Sequence, residues 1–230
     1  MIRWLGVLLG LAAVASAVGC TGSEGSALPN GGQLTQRAAE ALRQVETLRF
    51  DLKVDGAIPG ISIGSARGQL TKAGNVQGSA VLTALGQPTE TDFVIVGDTL
   101  YLKGPTGGFQ KLPLAFAAGV YDPSKILDAN LGLPALVANA TEPAVQAKET
   151  VDGTETYHVK AKFAKNNLGV LLPGTAASTD LPGEMWITTA EPNRPIMAKV
   201  DVPATGGATG GTVTIRLSEF DGPVTITPPS

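Results

Sequence analysis

The chain carries one cysteine, one histidine and, among 230 residues, only six Phe, three Tyr and two Trp. Each shortage closes off a class of chemistry. A lone cysteine, Cys20, forms no intramolecular disulfide, and one cysteine with one histidine gives no two-ligand spacing on any one element for a transition metal. Basic residues nowhere alternate with aromatics and the formal net charge is −3, so the footprint of a nucleic-acid-binding protein is missing. With few rings available, apolar positions fall to Ala, Val, Ile and Leu. Such a core either packs solid, as interiors normally do, or is left partly hollow.

A long apolar run occurs once, at the start. Residues 1 to 20 read MIRWLGVLLGLAAVASAVGC, with Arg3 ahead of an apolar stretch from Trp4 to Val18 and small residues leading into Cys20. That is the layout of a signal peptide, and the run is short for a bilayer span of about 20 residues. Ala17-Val18-Gly19-Cys20 resembles the bacterial lipobox, whose cysteine is acylated on sulfur and becomes the first residue after cleavage. An ordinary secretory signal beside a stray cysteine is the other reading, and it leaves a free thiol in an oxidising compartment. The polar stretch from Thr21 to Ser26 reads as a flexible tether. The expected organisation is a signal peptide over 1–19, an acylated cysteine with its tether over 20–32, and one domain over 33–230. Cleavage leaves about 210 residues, enough to bury a core without staples.

Helical spacing appears first. Leu34, Ala38, Ala41, Leu42, Val45 and Leu48 share a stripe from Leu34 to Leu48, with Thr35 as the expected cap. The period then changes to two, with Phe50, Leu52 and Val54 alternating with Asp51, Lys53 and Asp55. Further strands are expected at Ile61–Leu70, Gly78–Leu85, Thr91–Val96, Thr99–Lys103, Val145–Val151, Glu155–Phe163, Glu184–Thr189, Ile196–Val202 and Thr212–Phe220. Gly97-Asp98 and Asp152-Gly153 read as hairpin turns. Leu114–Ala140 reads as short helices, with Asp122 capping Pro123, and Ala164–Leu172 as another. Strands joined by short turns imply antiparallel pairing, so the class is α+β: a large curved antiparallel sheet with helices on one face.

Several motifs invite chemistry and do not sustain it. Gly60-Ile61-Ser62-Ile63-Gly64 has the G-x-S-x-G form of a hydrolase elbow, but Pro59-Gly60 precedes Ser62 and a strand pattern, not a helix, follows. The single histidine, His158, alternates with Tyr157 and Val159 on an expected strand. Glu90 and Asp92 share a strand face, which is usually a solvated edge. Gly206 to Gly211 lacks a phosphate loop's lysine and reads as a hairpin loop. Asn139-Ala140-Thr141 is a formal glycosylation sequon that carries no information in a bacterial lipoprotein. No catalytic constellation emerges, and no cofactor or metal is implied.

Taken together, Cys20, the first helix, "VDGAIPGISIGSARGQLT" from Val54, "TDFVIVGDTLYLK" from Thr91, "YDPSKILDANLGLPALVANA" from Tyr121 and "VDGTETYHVKAKF" from Val151 resemble the LprG/LppX (LppX_LprAFG) family of mycobacterial cell-envelope lipoproteins, nearer its LprG/LprA side. The resemblance implies a half-barrel whose bent antiparallel sheet and helices enclose a large apolar cavity. It implies a protein held on the cell membrane through diacylglyceryl-Cys20, facing the periplasm or outer envelope. Its ligands would be acylated lipids or glycolipids, moved through the envelope beside an exporter of the major facilitator class.

By alternation the cavity residues expected from the strands are Leu52 and Val54, Ile61 and Ile63, Ala80, Leu82 and Ala84, and Phe93 and Ile95. The helical cover contributes Ile126, Leu127, Leu133, Leu136 and Val137. A slip of one residue would turn any strand's set to the other face. The alternative is a non-catalytic lipoprotein with a solid core that acts through its surface, as an exporter partner or a surface ligand.

Overall fold

The computed structural model describes residues 27–58, 61–84, 87–104, 107–116, 125–171, 179–204 and 209–229. Cys20, the tether up to residue 26 and the Asp122-Pro123 cap lie outside them.

The first helix, α1 (Gly31–Arg43), starts earlier than its apolar stripe predicts. Asn30 is its cap, and the Asn30 side chain accepts from the Gln33 amide at 3.0 Å. Thr35, the expected cap, is buried inside the helix and its hydroxyl donates to the Gly32 carbonyl at 3.0 Å. Gly31 rests on the Pro143 carbonyl, where a β-carbon would collide. The helix stops at Arg43, but Val45 and Leu48 beyond it are as fully buried as Leu34 and Ala38. One apolar stripe thus runs from a helix into the next strand.

Among the described residues eleven strands follow. The first six are β1 (Thr47–Ala57), β2 (Ile63–Thr71), β3 (Val76–Ala84), β4 (Gln87–Val96), β5 (Thr99–Lys103) and β6 (Phe109–Pro113). A connection containing a short 3-10 turn (Leu114–Phe116) and α2 (Leu133–Ala138) leads to β7 (Thr141–Val151) and β8 (Thr154–Phe163). Helix α3 (Lys165–Leu171) precedes β9 (Leu181–Thr188), β10 (Pro195–Val202) and β11 (Gly210–Ser218). All lie in one antiparallel sheet in the order β6-β5-β4-β3-β2-β1-β11-β10-β9-β8-β7. Two meanders, β1 to β6 and β7 to β11, therefore meet at the β1–β11 seam, as the α+β expectation requires.

The turns obey local chemistry. Asp152 and Gly153 take φ of 48° and 81°, two consecutive left-handed residues that match the right-handed twist of β7 and β8. Strand β6 was not expected, because Phe109-Gln110-Lys111-Leu112-Pro113 lacks clean alternation and ends in proline, a residue suited to an edge. Strand β2 starts at Ile63, so Ser62 lies just ahead of it rather than within it.

Alternate side chains face the helices. Across the seam Leu217, Phe50, Gly68, Gly78, Phe93 and Leu102 stand opposite one another on six strands. A β-carbon at Gly68 or Gly78 would run into the facing strand's backbone. The bare pair lets β2 and β3 approach while the buried rings of Phe50 and Phe93 flank it.

Candidate functional site

The concave face is built row by row. One row runs Ile215, Leu52, Ala66, Ala80 over β11, β1, β2 and β3. In the other direction it continues through Ala198, Met185 and Val159 on β10, β9 and β8. Facing it are Ile126, Leu133 and Leu136 from the β6–β7 connection and Leu168 and Leu171 from α3. Asn139, which caps the end of α2, donates through its side chain to Asn167 at 3.2 Å and so ties α2 to α3.

Between the layers lies a cavity of about 40 Å³. Its walls are Leu52, Ala198, Val200, Val213 and Ile215 from the sheet and the five aliphatic residues just named from the helical side. No hydroxyl, amide or charge lines it. Water would gain no hydrogen bond there, so the space is dry and suited to hydrocarbon. Nothing in it can move a proton or hold a metal.

The resemblance implies a larger enclosure than this cavity, whose described lining brings Leu168 and Leu171 of α3 together with Val200, Val213 and Ile215 of the sheet.

Of the residues expected to line a cavity, Leu52, Ile126, Leu133 and Leu136 do so. Ile63, Ala80, Phe93, Ile95, Leu127 and Val137 are buried in the same apolar cluster, and Val54, Ile61 and Leu82 are partly buried against it. Ala84 ends β3, and its side chain falls outside the described set. Every described member thus faces the helical side or packs against that core. The residues missed are Leu168, Leu171, Ala198, Val200, Val213 and Ile215. The alternation in "PIMAKVDV" and "GGTVTIRLS" already carries four of them.

The motifs with catalytic form are occupied otherwise. Ser62 is exposed and leads into a strand, and its carbonyl accepts from the Thr83 amide at 2.7 Å. His158 stacks on Trp186 with centroids 4.7 Å apart and planes 4° from parallel. Its Nδ1 lies 2.9 Å from Glu149 Oε1, and the Trp186 indole donates to Glu149 Oε2 at 2.8 Å. That indole hydrogen bond, followed by the charge and hydrogen bond of His158, holds the Glu149 carboxyl below the usual carboxylate range. Glu90 and Asp92 are expected at a solvated edge; both are solvated, but β4 is an inner strand, where Glu90 pairs with Arg67 at 3.2 Å and Asp92 with Lys103 at 2.8 Å. Gly210 and Gly211 of the glycine-rich loop belong to β11, Gly210 with φ of 74°, and residues 206–208 lie outside the described set. Among the described residues no helix is long and apolar enough to cross a membrane.

A model of the LppX_LprAFG lipoprotein family matches residues 30–226. The lipoarabinomannan carrier protein LprG of Mycolicibacterium smegmatis is 30% identical over 224 residues, covering 95% of this chain and 92% of the relative. The protein of that name from Mycobacterium tuberculosis strain H37Rv is 27% identical over 232 residues, covering 99% and 95%. Among solved structures, LprF of Mycobacterium bovis superposes with a TM-score of 0.74 at 24% identity, covering 90% of this chain and all of that one. The lipoprotein LppX of M. tuberculosis gives a TM-score of 0.63 at 17% identity, covering 85% and 97%. These two likenesses concern the fold.

Proposed function

Because the chain belongs to the LppX_LprAFG lipoprotein family, we propose that it is a non-catalytic, membrane-anchored carrier that takes the acyl chains of a lipid or glycolipid between its sheet and its helices and helps move that lipid across the envelope. The observation that carries the reading is the wholly aliphatic lining of the cavity. Each methylene withdrawn from water is worth about 0.8 kcal/mol, so a chain leaves a bilayer only for a site as apolar as the bilayer itself. Relatives named as lipoarabinomannan carriers point to a ligand bearing both acyl chains and sugar.

On this reading Cys20 is diacylated after removal of residues 1–19. The tether up to residue 32 then lets the domain over 33–230 sample the membrane surface, within reach of an exporter of the major facilitator class. Loading requires the interior to widen. The helical side of that interior includes Leu168 and Leu171 of α3, a helix of seven residues.

The buried apolar cluster that surrounds this cavity favours a second reading, a solid-cored lipoprotein that acts through its surface. Native mass spectrometry of the protein extracted gently from its host separates the two. A carrier emerges with the added mass of an acylated lipid, whereas a protein that is always bare sinks the carrier reading. Ala198→Trp is the companion test. A carrier keeps its fold and loses its lipid, whereas a solid core loses about 1–3 kcal/mol of stability to overpacking.

A further inference from the structure

The second meander carries a cluster of charged and ring side chains on the face turned away from the helices. Val159, Met185 and Ile187 belong to the apolar core, so Trp186 and His158, which alternate with them on β9 and β8, point outward. Trp186 is nonetheless only 4% exposed, with the His158 ring lying flat on it. Both nitrogens of that ring meet a carboxylate. Nδ1 is 2.9 Å from Glu149 Oε1 on β7, and Nε2 is 3.5 Å from Glu184 Oε2 on β9. The other oxygen of Glu149 accepts the Trp186 indole N–H at 2.8 Å. The cations beside this group are Lys160 of β8, 3.8 Å from Glu184, and Lys199 of β10, 5.1 Å from the centre of the Trp186 ring.

A neutral imidazole has one N–H and can serve only one of two carboxylates. Whichever tautomer it takes, the other carboxylate faces a bare nitrogen lone pair. That mismatch falls on Nε2, which is buried and has no hydrogen-bond partner among the described residues. Solvent does little to relieve it, since the His158 side chain is 13% exposed. A second proton makes both nitrogens donors and sets a positive charge between two negative ones. The indole N–H keeps the Glu149 carboxyl below the usual carboxylate range, so Glu149 is ready as an acceptor wherever an imidazole titrates.

Strand β7 is the element such a contact would secure. Among the described residues it has a neighbour on one side only, and its pairing with β8 slips twice, between Thr141 and Ala144 and between Val145 and Ala147. Glu149 lies just beyond the second slip and ties β7 by side chains to both β8 and β9. The Pro143 carbonyl of β7 also supports Gly31 of α1, so the hold on this rim reaches the helical layer.

We propose that His158 is a proton-operated latch on the β7 rim, which fastens β7 to β9 through Glu149 and Glu184 when both ring nitrogens carry protons and loses one of the two contacts when one proton leaves. The latch is closed in acid and slackens as pH rises through the range in which an imidazole changes charge, about pH 5 to 8. His158 is the chain's only histidine, so no second imidazole contributes to the response. The latch acts on the fold itself, whether or not the cavity holds a lipid.

The test is hydrogen exchange of the full-length chain in detergent micelles at about pH 5 and about pH 8, each rate divided by the intrinsic amide rate at that pH, beside nitrogen-15 NMR of the His158 ring. Protection of the β7 and β8 amides around Glu149 and His158 should be about fivefold higher at the lower pH, the scale of one partly exposed ion pair. Both ring nitrogens should then carry protons, and protection at the β1–β11 seam should stay level. Glu184→Gln keeps the shape and removes the charge, and it should bring the ratio close to one. His158→Phe keeps a ring on Trp186 without either nitrogen and should do the same. The proposal is overturned if the wild-type ratio is one, if the ratio survives in either variant, if the seam responds as strongly as β7, or if the ring takes no second proton at the lower pH.

Discussion

The two meanders on either side of the β1–β11 seam share a strand geometry and differ in how they are filled. In β1 to β6 the concave residues shrink away from the seam, from Leu52 to Ala66 and Ala80, and the bare Gly68–Gly78 pair lies between Phe50 and Phe93. In β7 to β11 the residues are larger, and the ring of Phe163 lies over Gly183, where a β-carbon would touch it at 2.6 Å. Yet the cavity leans toward the second meander, which supplies four of its five sheet residues. Hollows therefore do not track small side chains. Alanine and glycine rows let strands and rings close in. Val200, Val213 and Ile215 are β-branched and stiff at χ1, so they do not rotate into the space before them.

Substitutions can break or sharpen that contrast. The largest effect belongs to the seam itself. Leu52→Asp places an unpaired charge against the cavity and should cost about 4 kcal/mol or more in urea unfolding, and a loss near 1 kcal/mol would mean that the seam is wet. Phe50→Ala removes a fully buried ring beside the glycine pair and should cost about 3–5 kcal/mol by the same measurement. Next comes a matched pair of insertions. Ala66→Leu in the first meander should cost about 1–3 kcal/mol, whereas Ala198→Leu, which grows into the cavity, should raise the melting midpoint of the lipid-free protein by the equivalent of about 0.5–2 kcal/mol. Equal effects at the two alanines would erase the contrast. On the outer face Arg67→Ala should change stability by less than about 1 kcal/mol, since both it and Glu90 are exposed.

The smallest effect is one of pH. Glu149 has its folded-state pKa lowered, chiefly by the Trp186 indole, so its contribution is complete above the ordinary carboxylate range and is lost as pH falls through the lowered value. Glu149→Gln should therefore flatten the acid limb of stability against pH while leaving its shape at neutral pH. Unchanged acid midpoints in urea titrations would show that Glu149 does not report on the folded sheet.

Most of the fold was legible because it rests on local rules. Period-two runs marked ten of the eleven strands, and Asp152-Gly153 and Gly97-Asp98 marked their turns. On β1 to β4 the expected residues Leu52, Ile63, Ala80, Phe93 and Ile95 are all buried, although alternation alone leaves open which parity turns inward. What could not be read was which strand lies beside β1. The pairing of Leu52 with Ile215 joins residues far apart in sequence, and only that pairing brings Val200 and Val213 to the cavity. The cap of α1 was missed for a local reason. Thr35 lay just inside the apolar stripe, whereas the effective oxygen belongs to Asn30, ahead of two glycines that hide the helix start.

Among the described residues β6 and β7 each have a neighbour on one side only. A closed barrel has its girth set by strand number and shear, and cannot swell without tearing rungs from its ladder. An open arc has no such constraint. Its two rims can spread or curl inward while every rung stays intact, so the radius of curvature is a soft coordinate. The molecule is in this respect closer to a spring clip than to a vessel.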